Sequence, residues 1–156
     1  MGMEHEEIRR LEQSDLSGAM ELVWRVFLEF EAPEYAPEGV EEFRRYIELP
    51  GAGQRMAEGN FLLWGAFLDQ MLVGVLAVVP PGCHISLLFV EKDHHRKGIA
   101  GRLLDAMLRE HGGGFTELTV HASPYGAAAY RRMGFKDVAE EQTENGIRYV
   151  PMLRTL

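Results

Sequence analysis

The spacing of apolar residues changes period several times along the chain, and each change marks an element. Leu16, Ala19, Met20, Val23, Phe27 and Phe30 recur as one helical stripe, with Ser14 as cap and Asp15 in the first turn. Ahead of them, Glu6 to Leu11 fits a short strand. Two prolines and a glycine in "EAPEYAPEG" break the stripe. Val40, Phe43 and Ile47 predict a second helix, stopped at Pro50-Gly51, and "GAGQRMAEGN" reads as loop. Phe61 to Leu68 and Met71 to Val79 flank Asp69-Gln70 as a hairpin. After the turn Pro80-Pro81-Gly82, "HISLLFV" (His84 to Val90) is nearly all apolar, as for a strand covered on both faces.

Beyond Gly98 the period returns to helical, with Ile99, Leu103, Leu104, Met107 and Leu108, and closes at Gly112-Gly113-Gly114. Phe115 to Val120 is a strand and Tyr125 to Met133 a short helix ended by Gly134. Lys136 to Thr143 and Ile147 to Leu153 flank Asn145-Gly146, the strongest hairpin signal in the chain. The order β-α-α-β-β-β-α-β-α-β-β contains one strand-helix-strand unit, His84 to Val120, whose strands should be parallel with a right-handed crossover. The expected fold is α/β in the α+β sense: a mixed, mostly antiparallel sheet of about seven strands flanked by about four helices, in one domain spanning 1–156.

Composition narrows the partners. The chain has 156 residues with a net charge of −8, which argues against a general nucleic-acid binder. No apolar run approaches the roughly 20 residues that span a bilayer, and the N-terminus has no apolar signal core. One cysteine, Cys83, excludes an internal disulfide and fits a reducing cytoplasm; it reads as structural. His94 and His95 are adjacent and cannot easily face one ion, and no CxxC or HxxxH pattern accompanies them, so no metal is expected.

The segment from His95 to Gly101 carries the most chemistry. A strand ends at Val90 and a helix opens near Gly98, so the loop places unpaired backbone N–H groups and the positive end of a helix dipole together. Gly98 lets a ligand approach the backbone, Ala100 is nearly as small, and Arg96 and Lys97 add charge. A phosphate or pyrophosphate is the expected ligand. Neither the P-loop string nor G-x-G-x-x-G occurs.

These residues resemble the GNAT superfamily of acyl-CoA-dependent N-acyltransferases. Its central motif is a strand, a short loop, then [Q/R]-x-x-G-x-[G/A] opening a helix. Here "HISLLFV" is followed by His95-Arg96-Lys97-Gly98-Ile99-Ala100, with histidine at the first position. A second motif is similar too: "SPYGAAAYRRMGF" (Ser123 to Phe135) has Ser123 where the family often has Asn, and Tyr130 at the family's tyrosine position. "NGIRYVPM" (Asn145 to Met152) is similar to the ending of many bacterial members of unassigned substrate. The resemblance extends over roughly 5 to 153.

The resemblance implies an N-acetyltransferase in which a primary amine attacks the acetyl carbonyl of acetyl-CoA directly, with no covalent enzyme intermediate. The amides of His95 to Ala100, with Gly101 next to them and Ser123 and Tyr130 opposite, would hold the cosubstrate. Pantetheine would pair with Leu88, Phe89 and Val90 like an added strand, and the Val90 N–H would face the developing oxyanion. Tyr130 is the candidate acid for the departing thiolate, and His84 and His121 are candidate bases for the ammonium proton. Trp24, Phe27, Glu29, Glu31, Glu34 and Tyr35 lie where the family contacts its acceptor, a small amine or a peptide. The final hairpin offers an edge for a homodimer. Two rival readings share the anion site: a non-catalytic acyl-CoA-binding regulatory module, and a nucleotide-binding protein of another class.

Overall fold

Strand β1 (Glu6–Arg10) leads through a 3-10 turn at Gln13–Asp15 into helix α1 (Leu16–Phe30) in a computed structural model that describes residues 5–156. The helix entry differs from the Ser14 cap expected. Asp15 Oδ2 accepts the Glu12 N–H at 2.8 Å and the Arg9 guanidinium at 3.1 Å. Helix α2 (Pro37–Tyr46) follows, then α3 (Leu49–Ala57), the hairpin β2 (Leu62–Leu68) and β3 (Met71–Val79), and β4 (His84–Val90). Helix α4 (Ile99–His111), β5 (Glu117–Ala122), α5 (Ala127–Arg132), β6 (Lys136–Asp137), β7 (Gln142–Glu144) and β8 (Ile147–Thr155) complete the chain.

The sheet runs β1-β2-β3-β4-β5-β8-β6, with β7 also on β8. Among the described residues only β4 and β5 are parallel; the other neighbours are antiparallel. The architecture is thus the mixed, mostly antiparallel sheet expected, with eight strands and five helices among the described residues rather than seven and four. The extra strand arises because Lys136 to Thr143 is not continuous: its two ends pair with β8 separately. The extra helix is α3, in the segment that read as loop. Pro50 sits in its first turn, where the missing N–H costs nothing, and Ala52 is fully buried. Gly53 lies against Leu16. Tertiary packing here outweighs the low helix propensity of two glycines.

Helices cover both faces of the sheet. On one side, Leu103, Met107 and Tyr130 pack on Trp64, Leu76, Ile85, Leu118 and Val120. On the other, Leu22, Val23 and Phe27 pack on Leu63, Val75, Leu87 and Phe89. Among the described residues no helix is long and apolar enough to cross a membrane. The edge at the final hairpin is short: β6 has two residues and β7 three, which limits strand pairing with a second copy.

One irregularity positions everything that follows. Ala77 pairs with Leu87 but Val78 with Ile85, so Ser86 is an extra residue, a β-bulge in β4. The bulge switches faces: Ile85 belongs to the α4 side and Leu87 to the α1 side. It also bends β4 away from β5, and the two strands pair only at His84↔Thr119 and Ile85↔Val120.

The start of α2 is jammed against the β7–β8 turn. A Cβ on Gly39 would land on the Gly146 carbonyl oxygen, and Gly146 itself has φ of 81°. Gly39→Ala should therefore destabilise the protein by about 1–3 kcal/mol despite alanine's better helix propensity. Gly18→Ala, on the exposed face of α1 with nothing near its Cβ, should stabilise it by about 0.5–1 kcal/mol. Thermal denaturation of the two variants checks the opposite signs.

Candidate active site

Past Ile85, the edge of β4 that faces β5 has lost its partner. The Glu91 N–H donates to Val73 O at 2.8 Å. In an antiparallel ladder alternate residues point alternate ways, so Phe89 also turns its backbone toward β3. Leu88 and Val90 turn theirs toward the gap. The three-residue strand edge expected at Leu88 to Val90 thus resolves into Leu88 and the Val90 N–H, which face the gap, and Phe89, already engaged.

The gap ends at the anion loop. The His95 N–H donates to Lys92 O at 3.2 Å, so the row of amides expected at His95 to Ala100 begins one residue later. Among the described residues, the N–H groups of 96 through 101 have no backbone acceptor; the first bond of the helix is Arg102 N–H to Gly98 O at 3.0 Å. Arg96 and Gly98 have φ of 63° and 80°. Alternating handedness turns successive amides into one concavity, the nest that binds anions. A left-handed Arg96 costs about 1–2 kcal/mol, a cost retained at the position where the amides converge. A Cβ on Gly98 would sit 2.7 Å from Arg102 Nη1. Arg102 is held there by two bonds of 2.7 Å to Glu6; this cation, the fourth residue of α4, was not singled out from the sequence.

His95 has a second function in the geometry. Its Nε2 lies 2.6 Å from the Val90 carbonyl oxygen, so the imidazole donates to the strand end and ties it to the loop. The Phe30 ring lies 5.0 Å from His95 and 5.0 Å from Tyr125. The end of α1 therefore bridges the two sides of the gap. Exposed ion pairs Arg25–Glu91 and Glu29–Lys92 strap the same helix to the loop after β4. On the far side, Ser123 Oγ accepts the Gly126 N–H at 2.9 Å. Gly126 packs against both Ser123 Oγ and the Tyr130 ring. Tyr130 is only 9% exposed and stands edge-on to Phe135. Burial, and secondarily Glu31, pushes its phenol well above the usual range, so it keeps its proton at every physiological pH.

Of the acceptor residues expected on the first two helices, the structure keeps some together and removes others. Phe27 is fully buried and stacked on Phe43 at 3.9 Å; it is core and has no surface to offer a ligand. Trp24 stacks on Phe27 from the half-buried side, and Glu29 is paired with Lys92 at 3.2 Å. Glu31, Glu34 and Tyr35 remain as a cluster. Burial, then the Glu34 charge, lifts Glu31 to about 8, while the Ser123 and Tyr35 hydroxyls lean toward the charged form. Burial and the two carboxylates push Tyr35 up. Glu34 Oε1 is buried without a partner.

His84 and His121 come together, with ring centroids 4.9 Å apart, but away from the anion loop. His84 Nδ1 bonds Thr119 Oγ1 at 2.8 Å. Burial, then His121, lowers its pKa, leaving a neutral ring. His84 is six residues from Val90, about 20 Å of strand. It lines a hollow of about 280 Å³ with Cys83, Phe115 and Thr119. His121 stacks on Tyr149 at 4.3 Å and fronts a different hollow, of about 190 Å³, with Glu42, Glu144 and Tyr149. Cys83 is buried, and burial raises its thiol pKa; its Sγ lies 3.6 Å from Met107 Sδ. His94 faces Lys97 while His95 faces Val90. Ser86, the one hydroxyl in an apolar strand, was not singled out from the sequence; its Oγ is buried without a partner at the bulge.

The model for the acetyltransferase (GNAT) domain matches residues 31–156. A relative from Escherichia coli K12, named as the uncharacterized N-acetyltransferase YafP, is 23% identical over 142 residues, covering 91% of this chain and 89% of the relative. Two solved structures share the fold. A GCN5-related N-acetyltransferase from Rhodopseudomonas palustris superposes with a TM-score of 0.82 at 22% identity, covering 100% and 99% of the two chains. The PaiA N-acetyltransferase of Thermoplasma acidophilum, solved with coenzyme A, gives 0.78 at 22% identity, covering 97% and 99%. The parted strands, the amide concavity behind them and a match over most of the chain have one explanation: the protein belongs to the GNAT family of acetyltransferases.

Proposed function

We propose that this protein transfers the acetyl group of acetyl-CoA to a primary amine, by direct attack while both substrates are bound. The observation that carries the reading is the continuity of two unsatisfied backbone surfaces: the strand edge at Leu88 and Val90 runs into the free amides of 96 to 101. A pantetheine arm has amides that complete a strand edge, and the diphosphate at its end has the charge that a nest and a helix N-terminus attract. Arg96, Lys97 and Arg102 add cations to the same surface. A nucleotide without pantetheine would use only the second half of it.

Each residue then has a task. The Val90 N–H points into the gap and donates to the acetyl oxygen as negative charge develops there; one such donor in a preorganised site is worth about 3–4 kcal/mol. The His95 bond to the Val90 carbonyl, one peptide unit further on, holds the end of the strand in place. Tyr130, kept protonated by burial, donates to the departing sulfur. Ser123 positions the start of α5 and so the phenol. The acceptor enters on the side of Glu31, Glu34 and Tyr35, where an ammonium meets carboxylates that lack cationic partners of their own among the described residues. The hollow at His121, with Glu42 and Glu144, gives a longer amine or a peptide acidic surface beyond the reacting nitrogen. His84 and His121 act on an amine at Val90 only through water, given the strand length between them.

Isothermal titration with coenzyme A, and thiol release from acetyl-CoA across a panel of alkylamines, diamines and peptides, test the reading. Binding with turnover of at least one amine is expected; binding without any turnover returns the regulatory module, and stabilisation by ATP or NAD but not by coenzyme A refutes the anion assignment. Gly98→Ala should weaken coenzyme A binding about tenfold or more, because the new Cβ meets Arg102 and the left-handed backbone is strained. Tyr130→Phe should slow turnover by about tenfold to a hundredfold, the low end of general-acid catalysis, with coenzyme A affinity within about twofold of the original. An unchanged rate would show that the phenol only packs.

A further inference from the structure

We propose that Glu31 is the base that removes the proton from the acceptor ammonium, and that it works as a pair with Tyr130 across the gap. This rests on the acetyltransferase reading above and assigns the proton transfer that the reading leaves open.

The backbone places Glu31 at the gap and leaves it little freedom. It is the residue after α1, with its N–H bonded to Phe27 O at 2.9 Å, and its carbonyl accepts the Glu34 N–H at 2.9 Å. Its neighbour Phe30 is wedged between His95, which holds the Val90 peptide, and Tyr125, which precedes α5. The carboxyl is thus carried to the side of the gap that Ser123 and Tyr130 close, near enough to the phenol for its charge to act there. The groups around it from every side are Glu34 and Tyr35 from its own loop, Ser123 and Tyr130 from the far wall, and His95 behind Phe30. Arg148 of β8, which donates to Glu34 O at 3.2 Å, completes the ring on the side of Glu34 and Tyr35. Arg148 is itself engaged by Glu141 at 2.9 Å, and no salt bridge reaches Glu31 among the described residues.

The environment is unusual for a carboxylate that only decorates a surface. It sits at the carbonyl end of a 15-residue helix, where the helix dipole disfavours negative charge. It is half-buried, next to a second carboxylate with an unpaired oxygen. All three effects favour the protonated form, and an arriving ammonium reverses them. The result is a base matched to operation slightly above neutrality.

The step balances as follows. Glu31 carboxylate takes one proton from R–NH3+, giving a neutral amine whose lone pair forms the C–N bond to the acetyl carbon. The C–S bond breaks, and the thiolate takes the Tyr130 proton. The proton held on Glu31 returns to the phenolate by way of water, and the second nitrogen proton leaves to solvent. Glu34, with its free Oε1, holds the ammonium before transfer.

A base is needed only by an acceptor that arrives protonated. The test compares, at pH 9, the alkylammonium with the highest wild-type rate in the panel above with hydrazine, which is largely neutral at that pH while the alkylammonium is not. Glu31→Gln should lower kcat/KM for the alkylammonium by about a hundredfold or more, flatten the rise of rate with pH through about 8, and leave hydrazine acetylation within about threefold. Glu31→Asp should recover part of the loss. Folding has its own signature. A carboxyl whose pKa is raised in the folded state contributes most below its unfolded pKa and loses that contribution as pH rises toward 8. Glu31→Gln should therefore match or exceed the wild-type melting temperature near pH 9, with the gain disappearing near pH 4. Equal loss on both acceptors, no loss on either, or the same selective loss in His84→Gln instead would overturn the assignment while leaving the acetyltransferase reading intact. Coenzyme A binding with no amine acetylated by the wild type would remove the reading and the assignment together.

Discussion

The site depends on a single failure of pairing. One extra residue in β4, Ser86, turns the strand's faces over and parts it from β5 after only two paired residues. In a sheet covered by helices on both faces, an unpaired strand edge is expensive unless water or a ligand completes it. Here the edge is left open at Leu88 and Val90, and the chain leaving it passes directly into six unpartnered amides at the start of α4. Two backbone surfaces that elsewhere in the fold would be satisfied internally are instead held rigid and aimed outward. His95 fixes their junction by bonding Val90, and Phe30 fixes the distance across the gap. The catalytic groups proposed are placed by these constraints rather than by long-range charge.

The anion loop was legible because its chemistry is local. Glycines and cations between an apolar strand and a helical stripe state a helix N-terminus, and a helix N-terminus states free amides. The first five strands and both ends of α4 were legible for the same reason, since alternation and helical spacing act over a few residues. What was not legible was set by distant partners. Helix α3 forms around a proline and two glycines because Ala52 and Gly53 pack on α1. Phe27 and Trp24 belong to one helical stripe, and only the packed structure shows that Phe43 consumes the Phe27 ring. A bulge cannot be read from "HISLLFV", where the serine fits an ordinary strand as well as it fits the extra residue.

The candidate bases illustrate the same limit. A histidine has a pKa near neutrality in any sequence, which drew attention to His84 and His121. A glutamate acquires one only from its surroundings. The loop "EAPEY" holds three ionisable side chains that appear equivalent on paper, yet burial at a helix end, the neighbouring Glu34 and the facing phenol single out Glu31. The order of the residues contained its identity but not its environment.

Amide hydrogen exchange along β4, with and without coenzyme A, tests the central claim most directly. The account predicts an alternating record: Phe89 protected in both states, Leu88 and Val90 exchanging freely alone and slowing on addition of coenzyme A, together with the amides of 96 to 101. Uniform protection of Leu88, Phe89 and Val90 without ligand, or slowing confined to another part of the chain when coenzyme A is added, would contradict it.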